Sequence, residues 1–152
     1  MVFDTWGGLL TTDAYRRFSL AAMRAVIADL PKAADGAPVP SIVFTKGGGA
    51  WLDEIAACGA SGVGLDWTVD LARARASVGR AVALQGNLDP LVLLTDPETV
   101  TREAIAIVRA AGPLPGHIFN LGHGIVPATP TANVAALIDA VHTSSRASRA
   151  TP

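Results

Sequence analysis

The sequence is poor in the residues that announce a chemistry by themselves. It has one cysteine, Cys58, so an internal disulfide and a cysteine-rich metal framework are both excluded. Its three histidines, His117, His123 and His142, are scattered and never reach metal-ligand spacing. No serine stands in a Gly-x-Ser-x-Gly elbow. The run Gly47-Gly48-Gly49 lacks the Gly-Lys-Ser/Thr ending of a phosphate loop and the spacing of a dinucleotide fingerprint, so a tight turn or close backbone approach is the better reading. Neither sign of charge dominates: 12 Lys and Arg face 13 Asp and Glu, a net charge of −1, and no basic stripe offers itself to nucleic acid. Apolar stretches are broken by Gly, Pro or charge well before the ~18 residues that a membrane span needs. The opening Met1-Val2-Phe3-Asp4-Thr5-Trp6 carries no basic region and no apolar signal core. A cytoplasmic chain with no membrane and no nucleic-acid partner is the expectation.

Within those exclusions, 152 residues that are 50% hydrophobic, with a mean hydropathy of +0.38, suffice for one domain with a sizeable core. Five short apolar runs, Val2–Phe3, Ser41–Thr45, Gly62–Leu65, Ala81–Leu84 and His117–Leu121, lack polar alternation, as strands buried on both faces of a parallel sheet do. Helical patterns fill the intervals. Thr12 is expected to cap a helix with Tyr15, Phe18, Met23, Ile27 and Leu30 on its apolar positions, stopped by Pro31. Shorter helices are expected over Trp51–Cys58 and Asp70–Ser77, ended by Gly59 and near Gly79. Asp96-Pro97-Glu98 sets a capping side chain, a first-turn proline and a dipole-matched acid in order, and Gly112 closes that helix. The last helix, from Thr131, carries Val134, Leu137, Ile138 and Val141 at helical spacing, and the small polar tail, residues 147–152, is expected to fray. Strict βα alternation predicts right-handed βαβ units and a parallel sheet. Composition alone leaves open whether five such units make an open doubly wound sheet or part of a barrel.

Each run leads into a polar or glycine-rich turn: Asp4-Thr5, Lys46 with Gly47-Gly48-Gly49, Asp66-Trp67, Gln85-Gly86-Asn87, and Asn120 with Gly122-His123-Gly124. The carboxyl ends of the strands are where βα proteins build their sites. His123, freed by its two glycines to adopt unusual backbone angles, is either a site imidazole or an ordinary loop residue. Asp66 is either a site carboxylate or a residue that satisfies backbone donors in its turn. Lys46 meets either an acidic ligand or an internal carboxylate. His117, at a strand start on the far side, is read as structural, His142 as a solvent-facing helix residue, and Cys58 as a small hydrophobe.

At these same strand ends the sequence resembles the uroporphyrinogen decarboxylase family. The matching blocks are Phe3-Asp4-Thr5-Trp6-Gly7-Gly8, Phe44-Thr45-Lys46-Gly47, Gly64-Leu65-Asp66-Trp67-Thr68-Val69, Leu84-Gln85-Gly86-Asn87-Leu88-Asp89-Pro90 and Asn120-Leu121-Gly122-His123-Gly124. The resemblance implies strands four to eight of a (β/α)8 TIM-type barrel, incomplete in this chain and spanning residues 1–146. It implies a homodimer without metal or organic cofactor that removes carbon dioxide from the acetate side chains of uroporphyrinogen, giving coproporphyrinogen. It assigns substrate contact to His123, the histidine of the family's Gly-His-Gly, and to Thr5, which replaces a serine and keeps its hydroxyl. The family's central aspartate, its arginine-rich segment and its substrate tyrosine belong to the N-terminal half, so no catalytic residue is expected on this chain and a separate N-terminal half is an expected partner. Two other readings accompany this one. One is a non-catalytic remnant or binding module. The other is a zinc- and corrinoid-linked methyltransferase of the same superfamily, whose His-x-Cys is missing around His123. An open piece of barrel leaves two strand edges and an inner face wet; at ~25 cal/mol per Å², a few hundred Å² of apolar area costs on the order of 5–10 kcal/mol, so the lone chain is expected to associate or fold poorly.

Overall fold

A computed structural model describes residues 1–150. Five strands, β1 (Val2–Asp4), β2 (Ile42–Thr45), β3 (Gly62–Gly64), β4 (Ala83–Gln85) and β5 (His117–Ile118), form one sheet in the order β1-β2-β3-β4-β5. Every neighbouring pair is parallel. A doubly wound sheet reverses its strand order at a switch point; this one never does. Consecutive addition on one side is the order of a barrel, and the choice left open by composition falls to an incomplete (β/α) barrel.

The register explains the uninterrupted apolar runs. One row across the sheet is Val2, Val43, Val63, Leu84 and His117, whose three central members are at most 1% exposed beneath the helices. The alternate row is Phe3, Phe44, Gly64, Gln85 and Ile118, on the inner face. At its two ends Phe3 is 67% and Ile118 44% exposed, because both belong to edge strands.

The helical segments are α1 (Thr12–Ala14), a π-helical stretch (Tyr15–Leu20), α2 (Ala21–Ala28), α3 (Leu52–Ala56), α4 (Leu71–Val78), α5 (Pro97–Ala111) and α6 (Thr131–Ala150), with 3₁₀ turns at Gly7–Leu9, Gly48–Trp51 and Pro90–Leu94. The cap of α5 is as the sequence predicts, and Asp70, expected as the first residue of its helix, is the cap of α4. Asp70 accepts from the Arg73 N–H at 2.8 Å, Asp96 accepts from the Thr99 N–H at 2.9 Å with Pro97 behind it, and Gly79 and Gly112 close the helices with φ of 61° and 75°.

Other details depart from the local reading. The cap before α1 is Thr11, not Thr12; the Thr12 hydroxyl instead accepts from Trp51 Nε1 at 3.3 Å. Tyr15 is fully buried, stacked on Trp51 at 4.1 Å and hydrogen-bonded to Thr45 Oγ1 at 2.9 Å, whereas Phe18, on the same stretch, is 61% exposed. The π turn shifts the helical phase, so period 3.6 assigns Phe18 to the wrong face. The region expected as one helix over Trp51–Cys58 divides into a 3₁₀ turn and α3. In α6, Ile138 is exposed and its place in the core is taken by Asn133, Leu137 and Ala140. The α6 helix also continues to Ala150 through residues 147–150, which were expected to fray; residues 151–152 lie outside those described.

Two cores result. The larger lies between the sheet and the π-helical stretch, α2, α3 and α4 and includes Cys58; the smaller joins Leu88 and Leu93 to α5 and α6. Asn133 fastens α6 to the latter, donating through Nδ2 to the Leu93 and Thr95 carbonyls at 2.9 and 2.7 Å.

Candidate functional site at the carboxyl ends of the strands

The strand-end loops are held by side chains that belong to them. At the end of β1, Asp4 Oδ1 accepts from the Gly7 and Trp6 N–H groups at 2.7 and 3.2 Å, and Oδ2 accepts from the Ser19 hydroxyl. Asp4 thus lies on the helix side, and alternation places Thr5 on the inner side. Gly8 packs directly on the β2 loop: a Cβ there would lie 2.1 Å from the Lys46 carbonyl oxygen, and the adjoining Gly47 takes a left-handed φ of 74°.

The next loops interlock around Asp66, which is 1% exposed. Its carboxylate accepts from the Gly47 N–H, from the Thr68 N–H at 2.8 Å and from the Thr68 hydroxyl at 2.5 Å. Asn87 donates through Nδ2 to the Asp66 and Val69 carbonyls at 2.8 and 2.6 Å. Three successive loops are therefore bonded to one another, and Asp66 is a structural carboxylate. Beyond β4 and β5 the chains meet again as a parallel bridge between Leu88 and Leu121, where the Gly122 N–H donates to the Leu88 carbonyl at 2.7 Å.

That bridge carries His123. Its ring stands 6.2 Å from the Trp67 ring, edge to face, and 6.3 Å from Phe44. Lys46 Nζ sits 5.5 Å from the Trp67 centroid, so its partner is an aromatic face and not a carboxylate. Gly122 and Gly124 do not take left-handed angles, so the conformational reason for glycine beside His123 is not the operative one. Gly122 is required by contact: a Cβ there would meet Trp67 N at 2.4 Å.

Thr5 and His123 come from the loops after the first and last strands, and both line one cavity of about 480 Å³ on the inner face, with Phe3, Phe44, Leu65, Asn120 and Gln85. Lys46 and Asp66 do not line it. His117 lies on the opposite face, its Nε2 donating to the Gly86 carbonyl at 2.7 Å, and His142 is exposed on α6. Gln85 is the cavity residue that motif reasoning passed over; its signal was strand phase, since Leu84 faces the helices and the next residue must face inward.

Residues 1–144 match the family model for uroporphyrinogen decarboxylase. The chain belongs to the uroporphyrinogen decarboxylase family. It is 58% identical over 150 residues to a uroporphyrinogen decarboxylase of Azoarcus sp. (strain BH72), covering 99% of this chain and 42% of that protein. It is also 58% identical to those of Aromatoleum aromaticum and Burkholderia pseudomallei (strain 668), covering 41% of each. The chain thus spans about two-fifths of the length of the curated relatives it matches. A methyltransferase from Methanosarcina mazei shares the fold, with a TM-score of 0.76 and 20% identity over 93% of this chain and 40% of that one. The family match goes to the decarboxylases, not to the methyltransferase alternative. Among the described residues no three His, Cys, Asp or Glu gather as a metal site, and no helix is long and apolar enough to cross a membrane.

In this family member His117 is a stability residue with a pH signature. Burial pushes its pKa below the usual 6.5, the Gly86 carbonyl opposes that shift, and the nearby Arg75 guanidinium adds to it. A histidine with a depressed folded pKa binds more protons unfolded. Its contribution is therefore fully present above about pH 6.5 and is lost as pH falls from there through the folded value. Denaturant midpoints measured from pH 7.5 to 5 are expected to decline, with a smaller decline in H117N.

Proposed function

We propose that this chain supplies the C-terminal part of a uroporphyrinogen decarboxylase site and that its inner-face cavity grips the carboxylates of uroporphyrinogen through His123 and Thr5. The observation that carries this reading is the convergence of those two residues, from the first and last loops, on one cavity. An imidazole N–H and a hydroxyl donate to carboxylate oxygens, and such charge-assisted bonds orient the macrocycle. In the reaction the bond between an acetate methylene and its carboxyl carbon breaks, carbon dioxide leaves, and a proton takes its place to give a methyl group. The transient charge needs preorganised groups around the ring. On this reading those groups belong to the part of the relatives that this chain does not span, which would pair with the exposed β1 and β5 edges. Homodimerisation of the closed barrel belongs to the same proposal. So does a cytoplasmic setting, which suits the free thiol of Cys58.

Fragment complementation tests it. The chain is mixed anaerobically with the portion of the Azoarcus protein that it does not span, and products are oxidised and separated by chromatography. Coproporphyrin is expected from the mixture and not from either piece alone, with kcat/KM in H123A lowered roughly 10- to 150-fold, the worth of one hydrogen bond to a charge. The proposal is overturned if the two halves of the Azoarcus protein reconstitute activity while this chain does not, or if H123A turns over at the wild-type rate.

A further inference from the structure

Five loops lead from a strand into the helix that follows it, and Lys46 is the only lysine or arginine in any of them. The aspartates of those loops are already engaged. Asp66 accepts from Gly47 and Thr68, and Asp70, Asp89 and Asp96 accept from the backbone N–H groups of Arg73, Leu91 and Thr99. Among the described residues no carboxylate pairs with the Lys46 ammonium. It meets the Trp67 ring instead, with Nζ 5.5 Å from the centroid. An aromatic face attracts the charge but leaves the three N–H donors of an ammonium to water or to an incoming anion.

The backbone fixes where those donors stand. The Lys46 N–H donates to the Asp4 carbonyl at 3.0 Å, which prolongs the β1–β2 ladder. Thr45 turns its hydroxyl to Tyr15 on the helix side, so alternation sends the next side chain to the inner side, where Phe44 also points. Phe44 and Trp67 are the rings that flank His123. Lys46 is half-buried and does not line the cavity; it belongs to the rim beside it. A tetrapyrrole bears carboxylates all round its periphery, and those that the cavity does not enclose come to that rim. We propose that Lys46 is a further substrate-binding residue, its ammonium pairing beside Trp67 with a peripheral carboxylate that lies outside the cavity of Thr5 and His123. This rests on the function proposed above and adds to it the only lysine or arginine charge among the strand-end loops of this chain.

The test is anaerobic equilibrium dialysis of the whole chain with uroporphyrinogen. Methionine keeps a sulfur–aromatic contact with Trp67 and removes the charge, so K46M is expected to bind about tenfold more weakly than the wild type. That gap is expected to narrow as salt is raised. K46R, which keeps the charge and stacks on an indole, is expected to stay within about threefold. R73M removes one charge from the exposed outer face of α4 and is expected to stay within about twofold, which separates a local contact from the effect of net charge. K46Q serves in place of K46M should the latter lose its circular dichroism melt. The inference is overturned if K46M binds as the wild type does, if K46R is as weak as K46M, or if R73M loses as much as K46M. Weaker binding in H123A with none lost in K46M leaves the proposed function standing and removes only this inference. A wild-type chain that does not bind uroporphyrinogen removes both.

Discussion

Replacing Asp66 with alanine is expected to lower the free energy of unfolding by about 3–5 kcal/mol, one of the largest effects available to a single polar substitution in this chain. Three donors converge on its carboxylate, two of them backbone N–H groups, and the residue is 1% exposed. Removing the acceptor leaves the Gly47 and Thr68 N–H groups buried without a partner, and buried donors lose the full worth of their solvation. For a chain of this size the loss corresponds to a fall in Tm on the order of 10 °C. D66N, similar in shape, is expected to recover less than half, since its Nδ2 points a donor at donors. The measurement separates the two roles that the sequence leaves open for Asp66. A ligand-binding carboxylate kept at a stability cost would give an alanine variant as stable as the wild type or more so. Thermal melts at a single protein concentration decide it, because an associating chain melts higher when more concentrated.

The second large effect is expected at Gly122 and, by contrast, not at Gly124. The sequence presents these as matching neighbours of His123. A Cβ at Gly122 would lie 2.4 Å from Trp67 N, 2.9 Å from the Asp66 carbonyl carbon and 3.1 Å from Trp67 Cα, all of them backbone atoms of the loop that Asp66 and Asn87 fasten. None of these can swing aside as a side-chain end would. At Gly124 no atom lies within 4 Å of a built Cβ. G122A is therefore expected to cost about 2–3 kcal/mol and to push the His123 loop off the cavity, weakening uroporphyrinogen binding by about an order of magnitude or more. G124A should stay within about 0.5 kcal/mol of wild type, with binding intact. Trp67 fluorescence offers a direct reading of the displaced loop. Equal stability and equal binding in the two variants would show that the loops after β3 and β5 are not packed as described.

Local chemistry accounts for what was legible beforehand. Apolar runs without alternation located all five strands, and Asp70, Asp96, Gly79 and Gly112 marked helix ends, because a cap is a contact between residues two to four apart. The motif blocks gathered Thr5 and His123 because both follow strands, and strand ends share one rim in a parallel sheet. Errors arose wherever the answer depended on a distant residue. Phe18 and Ile138 read as core yet face outward, and Gln85 was passed over because its neighbours in the motif drew attention to the turn.

The chain's own order of residues determined the alternation of strands and helices, the helix caps, and the polar turn after every strand, since each depends on bonds within a few residues. Tertiary structure alone decided that Asp66 ties loops together instead of facing a ligand, that Gly122 is a contact and not a bend, and that Thr5 and His123 line one cavity. Those outcomes depend on which atoms stand opposite across the sheet, and apolar pattern carries no information about the opposing partner.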